Sequence, residues 1–321
     1  MPLRVGIVSG ADDLHAIAIL ATLQDLGADT FQIPTDGIAG SGLASWTLHS
    51  AELPSTCSAR SIDVRTLDAI WWRRPNAPQS YRLHCRVKAQ AEMIDNDSRA
   101  ALLGILLTQF RGQWVSHPTA TSLAENKLVQ LEAAHQEGFR VPRTLVTQQP
   151  DAVRELYREL DGRVVVKPLK GSGRHTCNTA PLTRALLRRR AAIAVAPAIY
   201  QERIEGTRHL RVQVFGSSVL AVELESNVLD WRGDLRIPMR PVALSGDLQR
   251  RLRQVLRRLK LRMGIFDLKL DETGTPHWLE VNPQGQFLFL QGITGLDLRA
   301  AFAHFLLDEA RIGRRLRHGP H

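Results

Sequence analysis

GIFDLKLDETGTPHWLEVN, residues 264–282, is the stretch on which the fold of this chain turns. GIFDLKL (264–270) reads as a strand, DETGT as a tight turn and HWLEVN (277–282) as the returning strand, a hairpin. Asp267 lies in the first strand. Glu280 and Asn282, two residues apart, share one face of the second. Paired in register, these three residues bring hard oxygen donors together. Such carboxylates suit Mg2+, which completes its shell with water and phosphate oxygens. The neighbours Ile265, Phe266, Leu268, Leu279 and Val281 are apolar. Two uncompensated carboxylates among them would be costly, so they either hold a metal or pair with a cation such as Lys269 or Arg262.

A second informative stretch lies upstream. VVVKPLKGSGR (164–174) reads as a β-branched strand that delivers Lys167 into a loop of Gly171, Ser172 and Gly173. Small residues let backbone N–H groups approach an anion, and lysine adds charge. GxxxxGK[ST] is absent, so this is not a Walker A loop, and an ordinary glycine hairpin is the other reading. Of 42 basic residues only six are lysines, Lys88, Lys127, Lys167, Lys170, Lys260 and Lys269. In so arginine-rich a chain a lysine marks places that need a compact point charge. QERIEG (201–206), between expected strands, offers an extended backbone able to read an adenine edge, a weaker signal.

The rest of the chain supplies the frame. LRVGIV (3–8) and residues 29–33 read as strands around a helix, a β-α-β opening without GxGxxG. DAIWWRRP (68–75), a long helix over about 85–109 and QWVSHP (113–118) complete an α/β domain over 1–118. Ser122-x-x-Glu125 looks like a capping box opening a helix to Gly138. The second segment, 119–190, carries strands at 141–147 and 163–168. The third, 191–321, carries strands at 196–204, 209–215 and 219–226. It continues with an amphipathic helix at 246–260, the 264–282 hairpin and a terminal helix at 297–316.

In combination these features resemble the ATP-grasp superfamily of carboxylate–amine ligases over about 119–310. The match is the Asn126-Lys127 pair, the strand-borne Lys167, the glycine-rich loop, the QE strand, the LRV strand with Arg211, and the final D…E-x-N set, in that order. IWWRRP (70–75), LDWR (229–232) and LEVNPQGQFLFL…TGLDL (279–298) further resemble the microviridin-type peptide maturases, or graspetide synthetases. The resemblance implies an α/β domain ahead of a two-subdomain ATP-grasp fold, with Lys127, Lys167, Gly171, Ser172 and Gly173 on the ATP phosphates. It implies adenine on the backbone of Gln201, Glu202, Arg203 and Ile204, and Mg2+ on Asp267, Glu280 and Asn282. Arg211 would stabilise the acyl phosphate, and Arg232 would supply a second active-site charge. His209 stands where relatives often carry a ribose-binding acid, a role that Glu205 is placed to take over, and Gln291 stands where related maturases often have Glu. The implied substrate is a ribosomal precursor peptide, leader and core. Its Asp or Glu side chains would be activated and joined to Ser, Thr or Lys as macrolactones or macrolactams. Ligation of free amino acids or dipeptides, and a basic binding module without catalysis, are the alternatives.

Composition narrows the field. The net charge of +10 admits an acidic substrate. The arginines of RALLRRR (184–190) and of helix 246–260 lack interleaved aromatics, so a nucleic-acid partner is not expected. Arg73 and Arg74 either face an acidic substrate or form a structural ion pair with the second domain. The three cysteines have no metal spacing. No apolar run reaches membrane-spanning length, and the N-terminus lacks a signal-peptide pattern, which reads as cytoplasmic. A homodimer is left open.

Overall fold

The computed structural model describes residues 1–41, 44–48, 62–75, 79–170 and 179–318. The chain opens with β1 (Arg4–Ser9), α1 (Leu14–Asp25), β2 (Asp29–Pro34), β3 (Ala69–Trp72), α2 (Lys88–Gln109) and β4 (Gln113–Val115). There follow α3 (Pro118–Ala124), α4 (Lys127–Gln136), β5 (Thr144–Thr147), α5 (Pro150–Glu159), β6 (Val164–Lys167), β7 (Ala180–Pro181), α6 (Arg184–Arg188) and α7 (Arg190–Ala194). Next come β8 (Ala198–Glu202), β9 (Arg208–Phe215), β10 (Ser218–Glu225), β11 (Met239–Val242), α8 (Gly246–Arg258), β12 (Met263–Leu270) and β13 (Pro276–Asn282). The chain ends with α9 (Phe289–Thr294) and α10 (Leu298–His318). Packing divides it into two units, Met1–Pro118 with Gln286–His321, and Thr119–Gly285.

The first unit is a parallel sheet in the order β2-β1-β3-β4. Alternation along β3 sends Ile70 and Trp72 into a cluster with Leu102, Ile105 and Leu106 of α2. Trp71 turns the other way, and its ring centroid lies 4.6 Å from that of Phe302 in α10. Asp68, fully buried ahead of β3, fastens the C-terminal helix here. It accepts from the Arg4 amide at 2.9 Å and from Arg314 Nη2 and Arg317 Nη2 at 2.7 Å each. The segment expected to run from 191 to 321 is therefore divided at Gly285.

The second unit contains two antiparallel sheets. One runs β5-β8-β6-β7, and its apolar face packs with α5, α6 and α7 through Val153, Leu156, Leu187 and Ile193. The other runs β11-β10-β9-β12-β13. Its covered face joins Leu210, Val212, Phe266, Leu268 and Val281 to Leu248, Leu252, Val255 and Leu256 of α8. Each such leucine or valine is worth about 1.5–3 kcal/mol on burial. Ser245 caps α8 by accepting from the Leu248 amide at 3.2 Å, and Arg257 and Arg258 stand in its last turn, where cations complement the helix dipole.

One expected helix is two. The span beginning at Ser122 breaks after Ala124, because Asn126, not Ser122, acts as the cap, with Oδ1 accepting from the Leu128 amide at 3.0 Å. That break makes Lys127 the first residue of α4. The 264–282 hairpin forms as expected, except that its register shifts after Asp267. Leu268 pairs with Trp278 and Leu279 is passed over, a bulge of the kind that re-aims side chains.

Candidate functional site

The face of the five-stranded sheet opposite α8 carries a charged row. Arg211 on β9 stands opposite Asp267 on β12, and Asp267 stands opposite Glu280 on β13. The two-residue period makes this necessary, since their neighbours Leu210, Val212, Phe266, Leu268 and Val281 fill the core beneath. Arg211 Nη1 lies 2.9 Å from both carboxylate oxygens of Asp267. Burial pushes the Asp267 carboxyl above its ordinary pKa, and the Glu280 charge adds to this against the pull of Arg211. Asn282 lies on the same face, opposite Ile265, with Oδ1 accepting from the Gln284 amide at 3.0 Å.

Cations close around Glu280. Lys127 Nζ lies 2.5 Å from Oε2 and Arg232 Nη1 lies 3.5 Å from Oε1. Burial works against the Glu280 carboxylate, but Lys127, Arg232 and Lys167 outweigh it and hold the pKa below the usual range. Its side chain keeps 24% exposure, enough to meet a ligand. Lys167, at the end of β6, donates to Gln201 Oε1 at 2.8 Å. Burial, then the nearby Lys127, push its pKa down to about 8. Lys127, Lys167, Arg211 and Arg232 thus converge on Asp267 and Glu280, and this surplus of positive charge in a partly dry place favours a polyanion.

The segment between β10 and β11 was only partly legible in the sequence. The resemblance of LDWR points to Arg232 alone. Asp230 accepts from Arg232 through its amide at 3.2 Å, Nε at 2.8 Å and Nη2 at 2.7 Å, leaving Nη1 directed at Glu280. The hydrogen bond to Asp230 raises the Arg232 pKa. Trp231, buried in the same short turn, has its ring 5.6 Å from Arg211 Cζ. The signal for the Asp230–Arg232 clasp is DWRGDLR (230–236), where Asp-x-Arg occurs twice, while nothing local marks the place of Trp231.

Other expected residues take mixed places. Gln201 sits in β8 between β5 and β6, with Nε2 donating to Thr144 Oγ1 at 2.7 Å. The amides of Glu202 and Arg203 donate to the carbonyls of Arg143 and Arg163 at 2.8 and 2.9 Å. Arg203 pairs with Glu205 at 3.6 Å. Ile204 follows the end of β8. His209 is buried with Nε2 2.9 Å from Lys269 Nζ, and burial followed by the lysine charge push its pKa to about 4. Gly171, Ser172 and Gly173 lie outside the described residues. Arg73 is fully buried, Nε 3.3 Å from Asp13 Oδ2, so its ion pair lies inside the first unit and not with the second domain as the sequence suggests.

The donor set fits Mg2+ in its chemistry. Two carboxylates stand side by side in a buried place, where like charge is costly and a divalent cation relieves it. Among the described residues no three of His, Cys, Asp and Glu converge as a metal site; on the face that carries the two carboxylates, Asn282 offers a further oxygen.

No family model and no curated protein matches the chain. Solved structures do. The macrocyclase MdnC from Microcystis aeruginosa MRC, bound with precursor peptide MdnA, is 22% identical, covering 95% of this chain and 99% of its own, with a TM-score of 0.84. A Chryseobacterium gregarium RiPP-associated ATP-grasp ligase, in complex with ADP and a leader and core peptide, is 20% identical. It covers 96% of this chain and 97% of its own, again with a TM-score of 0.84. The ATP-grasp ligase PsnB, complexed with minimal precursor, Mg and ADP, is 20% identical, covering 95% and 97%, with a TM-score of 0.77. The chain has the fold of these ATP-grasp ligases, and the expected architecture, an α/β domain ahead of an ATP-grasp fold, is met.

Proposed function

We propose that this chain is an ADP-forming ligase that activates side-chain carboxylates of a ribosomal precursor peptide and closes them into rings. The observation that carries the reading is the convergence of Lys127, Lys167, Arg211 and Arg232 on the Asp267–Glu280 pair. It occurs in a fold whose solved examples hold ADP, Mg and precursor peptides. In this reading the enzyme works in the cytoplasm on leader-bearing peptides.

A substrate carboxylate oxygen attacks the γ-phosphorus of ATP, and ADP leaves. A hydroxyl or amine of the same peptide then attacks the acyl carbon, and phosphate leaves. Lys127 and Lys167 bind the phosphates. Arg211, fixed by Asp267, faces the acyl phosphate and the negative charge that grows on the carbonyl oxygen. Fixed charges placed where charge develops are the chief source of such catalysis, together with holding two reactants in line. No protein nucleophile is required. Mg2+ would be held by Asp267, Glu280 and Asn282, and when bound supplies neutralisation of phosphate charge.

Peptide-dependent ADP release tests the proposal. Replacing every Asp and Glu of the peptide core by Asn and Gln should abolish stimulation. Equal stimulation by the carboxylate-free core would overturn it.

A further inference from the structure

Trp231 is 6% exposed, yet it is absent from the apolar cluster that fills the opposite face of the five-stranded sheet. Its ring lies 5.6 Å from Arg211 Cζ instead. We infer that Trp231 is a positioning residue: covering the face of the Arg211 guanidinium, it fixes that cation beside Asp267 and shuts water away from it. The use to which the cation is put rests on the ligase proposal, while the contact itself does not.

A guanidinium makes its hydrogen bonds in its plane and stacks through its faces. The two contacts of Arg211 are therefore compatible. Nη1 meets Asp267 at 2.9 Å, and Cζ lies over the indole ring, 5.6 Å from its centroid. A cation held on an aromatic face gains most when water is excluded, and Arg211 is buried. The indole is itself held by a stiff segment. Trp231 lies between Asp230 and Arg232, which clasp each other through three hydrogen bonds. The second copy of the pattern repeats the clasp, with Asp234 accepting from the Arg236 amide, Nε and Nη2 at 3.0, 2.8 and 3.1 Å. The same turn sends Arg232 Nη1 to Glu280. One turn thus reaches both ends of the charged row, placing an indole under Arg211 at one and pairing with Glu280 at the other.

The experiment compares Trp231→Phe, Trp231→Leu, Arg211→Lys and the double variant Trp231→Leu/Arg211→Lys. At saturating Mg-ATP and peptide, Trp231→Leu should lower kcat for ring formation by about tenfold or more, as small misplacements of a catalytic group do. The nucleotide Kd should stay within about twofold, because Lys127 and Lys167 are untouched. Trp231→Phe keeps an aromatic face and should keep most of the rate. The double variant should be no slower than Arg211→Lys alone, since both changes break one contact. Losses that multiply, or equal losses in the Phe and Leu variants, overturn the inference. A second readout needs neither peptide nor turnover. The Arg211 Nε–H signal, identified by its disappearance in Arg211→Lys, should exchange slowly with water in the wild type and rapidly in Trp231→Leu. Rapid exchange in the wild type overturns the inference even where Trp231→Leu does not fold. If the wild type forms no rings but this signal is protected, the ligase proposal falls and the positioning contact stands.

Discussion

Arg211 and Asp267 face each other across β9 and β12, and a single guanidinium nitrogen lies 2.9 Å from both carboxylate oxygens. Both side chains are nearly buried, at 8% and 11% exposure. Removing one partner strands a charge without water. Asp267→Leu should therefore destabilise the fold by about 3–5 kcal/mol, read as a lower urea midpoint. Asp267→Asn keeps an acceptor and should cost less, while ring formation falls by about 100-fold or more as the charge is lost. Full activity in Asp267→Asn at limiting Mg2+ would remove the metal assignment.

Lys127 and Glu280 behave differently because their pair is about a quarter exposed on each side. Pairs that meet water contribute about 1 kcal/mol or less. Glu280→Gln should therefore melt close to the wild type yet lose turnover strongly. Lys127→Ala should weaken Mg-ATP, seen as a smaller rise in melting temperature on adding nucleotide. An unchanged rise would show that Lys127 does not bind the phosphates.

Lys167 gives the site a pH dependence. Its folded pKa of about 8 lies below the unfolded value, so between the two the unfolded chain holds more protons. From this group alone stability rises with pH across that window, and the cost of a buried ammonium is full below about 8. A bound triphosphate favours the charged form. Nucleotide binding near pH 8.5 should take up a proton at Lys167, and affinity should fall as pH climbs past about 8. Titration calorimetry in two buffers of different ionisation enthalpy reads the uptake, and Lys167→Met should abolish it. Absence of uptake in the wild type would contradict the assignment.

Gly206 ends the QERIEG segment with a φ of +117°. A Cβ there would stand 2.7 Å from the Leu270 carbonyl oxygen. Gly206→Ala should destabilise the fold by about 1–3 kcal/mol from backbone strain alone, measured by thermal unfolding. A variant as stable as the wild type would mean that the segment relaxes freely.

Strong local signals in the sequence survived into the structure. The hairpin 264–282, the long helix ending at Gln109 and the strand of Arg211 follow from local apolar and turn patterns, whereas the place of Arg211 opposite Asp267 is set by the register of β9 on β12. What escaped was set by distant contacts. The terminal helix joined the first unit because Arg314 and Arg317 reach Asp68. Ser122 lost its cap role to Asn126, whose amide oxygen captures the Leu128 N–H. Trp231 looked like any tryptophan, since only the tertiary fold shows that its neighbour is a guanidinium.

The most direct test is the intact mass of the precursor peptide after incubation with the enzyme and Mg-ATP. The peptide should lose one water for each ring closed, with one ADP formed per ring and with new resistance to proteolysis between the joined residues. Rings that open in mild alkali would be esters, and rings that persist would be amides. A peptide that keeps its full mass, while a free amino acid stimulates ATP hydrolysis, would contradict the account.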